Sequence, residues 1–254
     1  MAGHSKWHNI RHRKAAVDKK RGKVWTKIAK AIIVAAKNGG PDPTTNLSLR
    51  YTIDEARYAN MPRDTIERAI KKGAGGASNE NFETVRYEGY GPGGVAIIVD
   101  ALTDNRTRTV GDVRLAFSRA GGNLGASGCV AYLFDHRGEI VVKGGGATED
   151  RMMEVAIDAG AVDVIAPEDS TEDDAMFLVL TDPTGFQAVK DAIERAKFVI
   201  QEAQYAMIPQ NRVEVRGDAA KANIEIVEEL EELDDVQKVF SNFTIPDDET
   251  DKLG

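Results

Sequence analysis

This chain has little that could be oxidised, stapled or threaded through a bilayer. Among its 254 residues there is one cysteine, Cys129, so no intramolecular disulfide can form. Its apolar neighbours Val130, Ala131, Tyr132, Leu133 and Phe134 predict a buried, inert thiol and a reducing compartment. Long apolar runs are missing too. Stretches such as 31–36 and 95–99 fall far short of the roughly 18–20 residues that a membrane helix needs. The first residues carry no apolar core of the signal-peptide kind, so neither a signal nor a transit peptide is expected, and the cytoplasm is the expected location.

The residues of catalysis are equally sparse. Of four histidines only His136 lies outside the N-terminal arm, beside Arg137 and Gly138 in a polar setting, and no Ser or Cys has the context of a nucleophile. No catalytic residue and no enzyme activity are expected. Gly89, Gly91 and Gly94 fit a bare GxGxxG spacing, but a dinucleotide fingerprint must open a helix, whereas Val95 begins another strand-like run. A hairpin turn is the reading. The Gly22-Lys23 pair lacks the remaining residues of a phosphate-binding loop, and no cofactor is implied.

What the chain does have is charge, unevenly distributed. Residues 1–76 hold seventeen Lys and Arg against six Asp and Glu, a net +11, whereas the remainder holds sixteen against thirty-five, a net −19. A packed core needs no such imbalance, so a basic third joined to an acidic body reads as a polyanion-binding surface carried on something else. Nucleic acid is the expected partner, and the acidic part is a candidate surface for a protein partner.

Periodicity divides the chain further. Residues 1–17 are almost devoid of apolar side chains and read as an arm that orders on its partner. From Asp18 a helix is predicted with Val24, Ile28, Ile32 and Ala35 on one stripe and Lys20, Lys23, Lys27, Lys30 and Lys37 on the other side, ending at Gly39, Gly40 and Pro41. Helices over 45–60 and 62–72 follow, the latter closed by Gly73, and Arg50, Arg57, Arg63, Arg68, Lys71 and Lys72 extend the positive surface. The run 73–79 has linker composition. Beyond it, strands are predicted at 84–90, 95–102 and 130–134 with a helix over 107–120. Next come strands at 139–142, 163–165, 175–180 and 198–204 with helices over 149–159 and 184–195, a β-α-β-β-α-β order of the ferredoxin-like kind. A last helix over 218–233 and a strand over 236–243 supply what the earlier unit lacks. The expected fold is α+β: a basic arm and three-helix domain (1–76), a discontinuous ferredoxin-like domain (80–135 with 206–245), and a second ferredoxin-like domain (136–205) inserted into it.

Within the basic third, His4, His8 and His12 recur at helical spacing, but Lys6, Arg11, Arg13 and Lys14 interleave with them, and fixed positive charge repels a metal cation. No metal site is expected. Trp7 among cations suits stacking on an unpaired base, with folding back onto the helices as its alternative. The lysine row at Lys20, Lys23, Lys27 and Lys30 has almost no acid near it in sequence, and such self-repulsion points to an anionic partner. Arg106 and Arg108 open a predicted helix, where the macrodipole disfavours cations. They are a candidate anion site, the alternative being pairing with Asp100, Asp104 or Asp112. The carboxylates of 168–174 and of 228–235 read as solvated faces.

The segments Met1-Ala-Gly-His-Ser-Lys-Trp, His12-Arg-Lys-Ala-Ala, Lys20-Lys-Arg-Gly-Lys, Tyr87-Glu-Gly-Tyr-Gly-Pro-Gly-Gly, Asp104-Asn-Arg, Arg108-Thr and Gly121-Gly-Asn-Leu-Gly resemble the YebC/PmpR family over residues 1 to about 245. The resemblance implies a helical domain followed by two α+β domains. It also implies a cytoplasmic regulator of gene expression, described for bacterial members as DNA-binding transcriptional regulation. Related members, a mitochondrial translational activator of cytochrome c oxidase among them, act instead at the ribosome, and some relieve stalling on proline-rich nascent chains. Cys129 stands where members usually carry Ser.

Overall fold

The computed structural model describes residues 18–75, 82–144, 148–167 and 175–250. Helices α1 (Asp18–Gly39), α2 (Leu47–Tyr58) and α3 (Arg63–Ala74) share one small core, in which Ile28, Ile32 and Ala35 meet Leu49, Ile53, Ile66 and Ala69. Val24, expected on that stripe, is exposed. Asn46 locks the α1–α2 corner: its side chain accepts from the Leu49 N–H at 3.1 Å and donates to the carbonyls of Ala35 and Gly40, both at 2.8 Å. It thereby satisfies orphan groups at both helix ends. Trp25 joins the same unit, its indole N–H donating to the Ala59 carbonyl at 2.9 Å.

Gly73 does not close α3 as the sequence suggested. It lies within the helix, where a Cβ would stand 2.4 Å from the Ile33 carbonyl oxygen, so its lack of a side chain is what lets α3 pack on α1.

The chain then runs through β1 (Glu83–Gly91), β2 (Val95–Thr103), α4 (Arg106–Arg119), β3 (Asn123–Leu124), β4 (Phe134–Lys143), α5 (Glu149–Asp158), β5 (Ala161–Ile165), β6 (Met176–Thr181) and α6 (Phe186–Arg195). It finishes with β7 (Ile200–Pro209), β8 (Val213–Glu214), α7 (Gly217–Glu232), β9 (Val236–Ser241), β10 (Phe243–Thr244) and a closing turn, α8 (Asp247–Thr250). The strand expected at 130–134 is instead a 3-10 turn, Ala131–Leu133, and β4 begins only at Phe134. That turn places Val130 in the core while leaving Tyr132 exposed, which an alternating strand would not do.

Two antiparallel sheets result. The second has the order β5-β6-β4-β7, the split βαβ arrangement, with α5 and α6 covering one face through Met152, Ala156, Val189 and Ile193. The first has the order β3-β1-β2-β9, with the β1–β2 hairpin at its centre, so its strand order differs from that of the second. Its fourth strand, β9, returns to pair with β2 after the whole second sheet has been made. β2 is apolar from Val95 to Val99 because both faces are covered there. Ile97 and Val99 pack under α4 and α7, whereas Ala96 and Ile98 meet Phe134, Ala206 and Met207 at the junction with the second sheet. Gly91 and Val95 are paired across a tight turn, which confirms the hairpin over a nucleotide loop. The described residues are thus α+β, with helices first and antiparallel sheets after.

Gly73→Ala should lower stability by ~1–3 kcal/mol, since the obstacle is backbone rather than a movable side chain. Urea unfolding should show this as a lower midpoint at unchanged slope.

Candidate nucleic-acid interface

Three lysines of the α1 row turn toward the end of α7. Lys23 pairs with the Glu232 carboxylate, Lys27 donates to the Glu231 carbonyl at 2.6 Å, and Lys30 donates to Asp235 Oδ1 at 2.7 Å. Lys30 also sits over the Phe82 ring, 4.8 Å from its centroid. This corrects the sequence reading that the row lacks acidic partners. The acids come from the end of α7, more than two hundred positions away, and the run 228–235 is correspondingly no mere solvated face. The hydrogen bond to Glu232 raises the Lys23 pKa, while burial lowers that of Lys27 in spite of Glu231 and Glu232.

Asp235 is the point where three elements meet. It accepts from Lys30 on one oxygen, and on the other from Arg108 at 2.6 Å, Thr109 at 2.8 Å and Thr103 at 3.2 Å. Its backbone carbonyl accepts from the Leu102 N–H at 2.8 Å. Burial by itself would raise the carboxyl, but Lys30, Arg108 and Thr109 outweigh it and hold Asp235 well below the usual carboxylate range. The same arrangement engages the arginines of the candidate anion site. Arg108 is taken by Asp104 at 2.8 Å and by Asp235, and Arg106 faces Glu83 at 3.8 Å. The two arginines therefore face carboxylates of this chain: of the acids expected from sequence Asp104 takes part, Glu83 and Asp235 join it, and Asp100 pairs with Arg86.

A second carboxylate, Glu88 on β1, shapes the glycine-rich segment. Buried, it accepts from the backbone N–H groups of Gly128 at 2.7 Å and of Val130 and Ala131, both at 2.8 Å. Burial pushes its pKa up, yet the three donors prevail and the carboxyl lies below its ordinary value. The same stretch is tied by the Tyr90 hydroxyl, which donates to the Cys129 carbonyl at 2.8 Å. Cys129 is half-buried, and its thiol is pushed up first by burial and then by Glu88, so it is held as the unreactive thiol.

A different seam joins α2 to the second sheet. Lys190 of α6, almost fully buried, pairs with Asp54 at 2.8 Å, and the Tyr51 ring meets Phe186 and Tyr205 edge-on at 5.7 and 5.2 Å. Tyr51 and Tyr58 thereby join the core of that sheet.

Of the other expected nucleic-acid contacts, His4, Lys6, Trp7, His8, Arg11, His12, Arg13 and Lys14 lie outside the described residues, as do the acids of 168–174. Lys20 is in the first turn of α1. Exposed cations of the helical unit include Arg57 of α2, which reaches Asp54, and on α3 Arg63, 89% exposed although its Nε reaches Glu67, Arg68, which donates to the Asp64 carbonyl and Thr65, and Lys71. Glu88 and Asp235 were missed by sequence reasoning. A signal existed for the second: acids at 228, 231, 232 and 235 repeat at the same three-to-four spacing as Lys23, Lys27 and Lys30, which is what two facing helix rows of opposite sign require.

Comparison with known proteins agrees over nearly the whole length. Residues 5–76 match the model described as the TACO1/YebC protein N-terminal domain, and residues 82–243 match the one described as the TACO1/YebC second and third domain. A protein of Burkholderia ambifaria named a probable transcriptional regulatory protein is 54% identical over 245 residues, spanning 96% of this chain and 99% of the relative. One of the same name from Cupriavidus taiwanensis is 52% identical, spanning 97% and 100%. Among solved structures, a conserved hypothetical protein of Aquifex aeolicus superposes with a TM-score of 0.82 at 46% identity, covering 92% of this chain and 94% of that one.

Two outcomes follow from these carboxylates. Because the folded pKa of Asp235 is depressed, its stabilisation is complete above the unfolded value near 4 and fades as the pH falls through the folded one. Asp235→Asn should cost ~3 kcal/mol at neutral pH and flatten the loss of stability below about pH 4, as followed by denaturant unfolding across pH. Glu88→Gln, which turns an amide against backbone donors, should cost about 2 kcal/mol and speed amide exchange at Gly128, Val130 and Ala131.

Proposed function

The chain belongs to the TACO1/YebC family, and from that premise we propose that it is a non-enzymatic, nucleic-acid-binding regulator of gene expression that acts on DNA to control transcription in the cytoplasm. The observation that carries this reading is the separation of charge, net +11 in residues 1–76 against −19 in the remainder. The names of its relatives, probable transcriptional regulatory proteins, support the regulatory part. The working division is 1–76 for nucleic acid, with 80–135 plus 206–245 and the inserted 136–205 as the acidic body. That body confines a polyanion to one end of the molecule and offers a surface for a protein partner.

Because Lys23, Lys27 and Lys30 are engaged within the chain, first contact with phosphate falls to the arm and to the exposed Arg63, Arg68 and Lys71 of α3. The side chains of Arg63 and Arg68 are held only by partners one turn away on α3 itself, so they meet a phosphate without any movement between helices.

A second reading is a ribosome-associated translation factor that binds rRNA. It is favoured by the inward turn of the α1 row, which leaves no exposed helix presenting Asn, Gln and Arg together toward a duplex major groove among the described residues, and by an arm whose Trp7 and histidines suit unpaired bases.

Neutralising Arg63, Arg68 and Lys71 to Gln should weaken duplex and RNA binding alike and reduce the salt slope by up to about 3. Fluorescence anisotropy across salt would measure this, and an unchanged slope would reject the α3 assignment. Crosslinking and sequencing of bound nucleic acid in cells separates the two readings: promoter DNA supports the first, and rRNA the second.

A further inference from the structure

The α1–α7 seam differs in kind from the seam at α2. At α2, Tyr51 and Tyr58 enter the apolar core of the second sheet, and the Lys190–Asp54 pair is nearly buried. At α1, the apolar side chains belong to the core of the three helices and those of α7 to the core of the first sheet, and the two clusters share no residue. What holds α1 to α7 is the row of Lys23, Lys27 and Lys30 on Glu232, Glu231 and Asp235. At its open end the Lys23 side chain is 46% exposed and that of Glu232 53%, whereas at its inner end Lys30 and Asp235 are 17% and 12% exposed. Exposed ion pairs are worth little and are screened by salt, so the row weakens from Lys23 inward.

Two carboxylates on Lys23 and Lys30, with a backbone carbonyl on Lys27 and the charge of Glu231 close by, present to the lysine row the charge pattern of the polyanion it would otherwise bind. We propose that the acidic end of α7 is a built-in competitor for nucleic acid, a latch that occupies the lysines of α1 until a phosphate backbone displaces it. This inference rests on the nucleic-acid reading above and adds its regulation. Since α1, α2 and α3 share one core, they move together, and the aromatic contact of Tyr51 with Phe186 and Tyr205 is the pivot on which they swing. Displacement then runs in order. Phosphates recruited by the outward α3 cations meet Lys23 first, because Lys23–Glu232 is the most exposed of the pairs, and Lys30 is released last. The latch makes tight binding depend on a polyanion long enough to engage both α3 and α1, and it prevents short anions from opening the molecule.

The test uses the full chain. Glu231→Gln with Glu232→Gln removes the carboxylates at the open end and keeps the backbone carbonyls that Lys23 and Lys27 also use. At low salt the double variant should bind a 20-base-pair duplex and an RNA hairpin about threefold to tenfold more tightly than the parent, the size of one or two exposed ion pairs. Spin labels at Thr26→Cys and Lys221→Cys in a Cys129→Ser background supply a readout that does not depend on those substitutions. Their distance should be single at low salt, and it should lengthen or broaden when duplex is added or salt is raised to about 0.5 M, where screening is within a few ångströms. If both proteins bind with equal affinity and the label distance stays fixed in the complex, the latch is overturned while the nucleic-acid reading stands. If neither protein retains duplex or RNA at low salt, the nucleic-acid reading itself fails, and the latch with it.

Discussion

A single carboxylate, that of Asp235, sits where the three-helix unit, α4 and β2 converge, and the arrangement of the molecule depends on its staying ionised. An ion removed from water at such a place is costly unless its lone pairs are filled. Here Lys30, Arg108, Thr103 and Thr109 fill them, and the backbone carbonyl of the same residue holds the end of β2. The arrangement explains why Arg108 stands at the start of α4 against its macrodipole. Arg108 is there for Asp235 and Asp104, and the cost at the helix terminus is offset by a charge-assisted hydrogen bond to a nearly buried oxygen.

The same contact ties the question of fold to the question of function. A basic row that looks uncompensated in sequence is compensated in space, so its charge serves cohesion at rest and is available to a ligand only in competition with Glu231, Glu232 and Asp235. Arg63 and Arg68 of α3 are instead held by partners within their own helix. The basic third therefore has two surfaces of similar composition and different availability.

Local signals carried much of this into the sequence. Gly39-Gly40-Pro41 after an apolar stripe ends α1, the apolar run 95–99 forms a strand covered on both sides, and the hairpin at 91–95 was readable because Val95 continues as strand where a nucleotide loop would start a helix. The overlap of helix and strand periods in 139–204 was enough for the split βαβ order. What stayed illegible were contacts across the fold. Gly73 looks like a helix end because its packing partner, the Ile33 carbonyl, lies on another helix. The turn at 131–133 was read as strand because an apolar run does not reveal which side chain is turned out. Glu88 and Asp235 were hidden because a carboxylate that fills backbone donors or meets distant cations looks, in one dimension, like any other surface acid.

The return of β9 to the edge of β2 also sets an order of assembly. A chain synthesised from its N-terminus has β1, β2 and α4 long before it has the partners that cover them, so Ile97, Val99 and Phe117 must wait, exposed, while the second sheet is made. That second sheet is continuous in sequence and can close as soon as β7 emerges. The first sheet to begin is thus the last to finish, and the arrival of α7 and β9 completes its core in the same event that delivers Asp235 to Lys30. Burial of the apolar face of the first sheet and capture of the helical unit are one step of assembly.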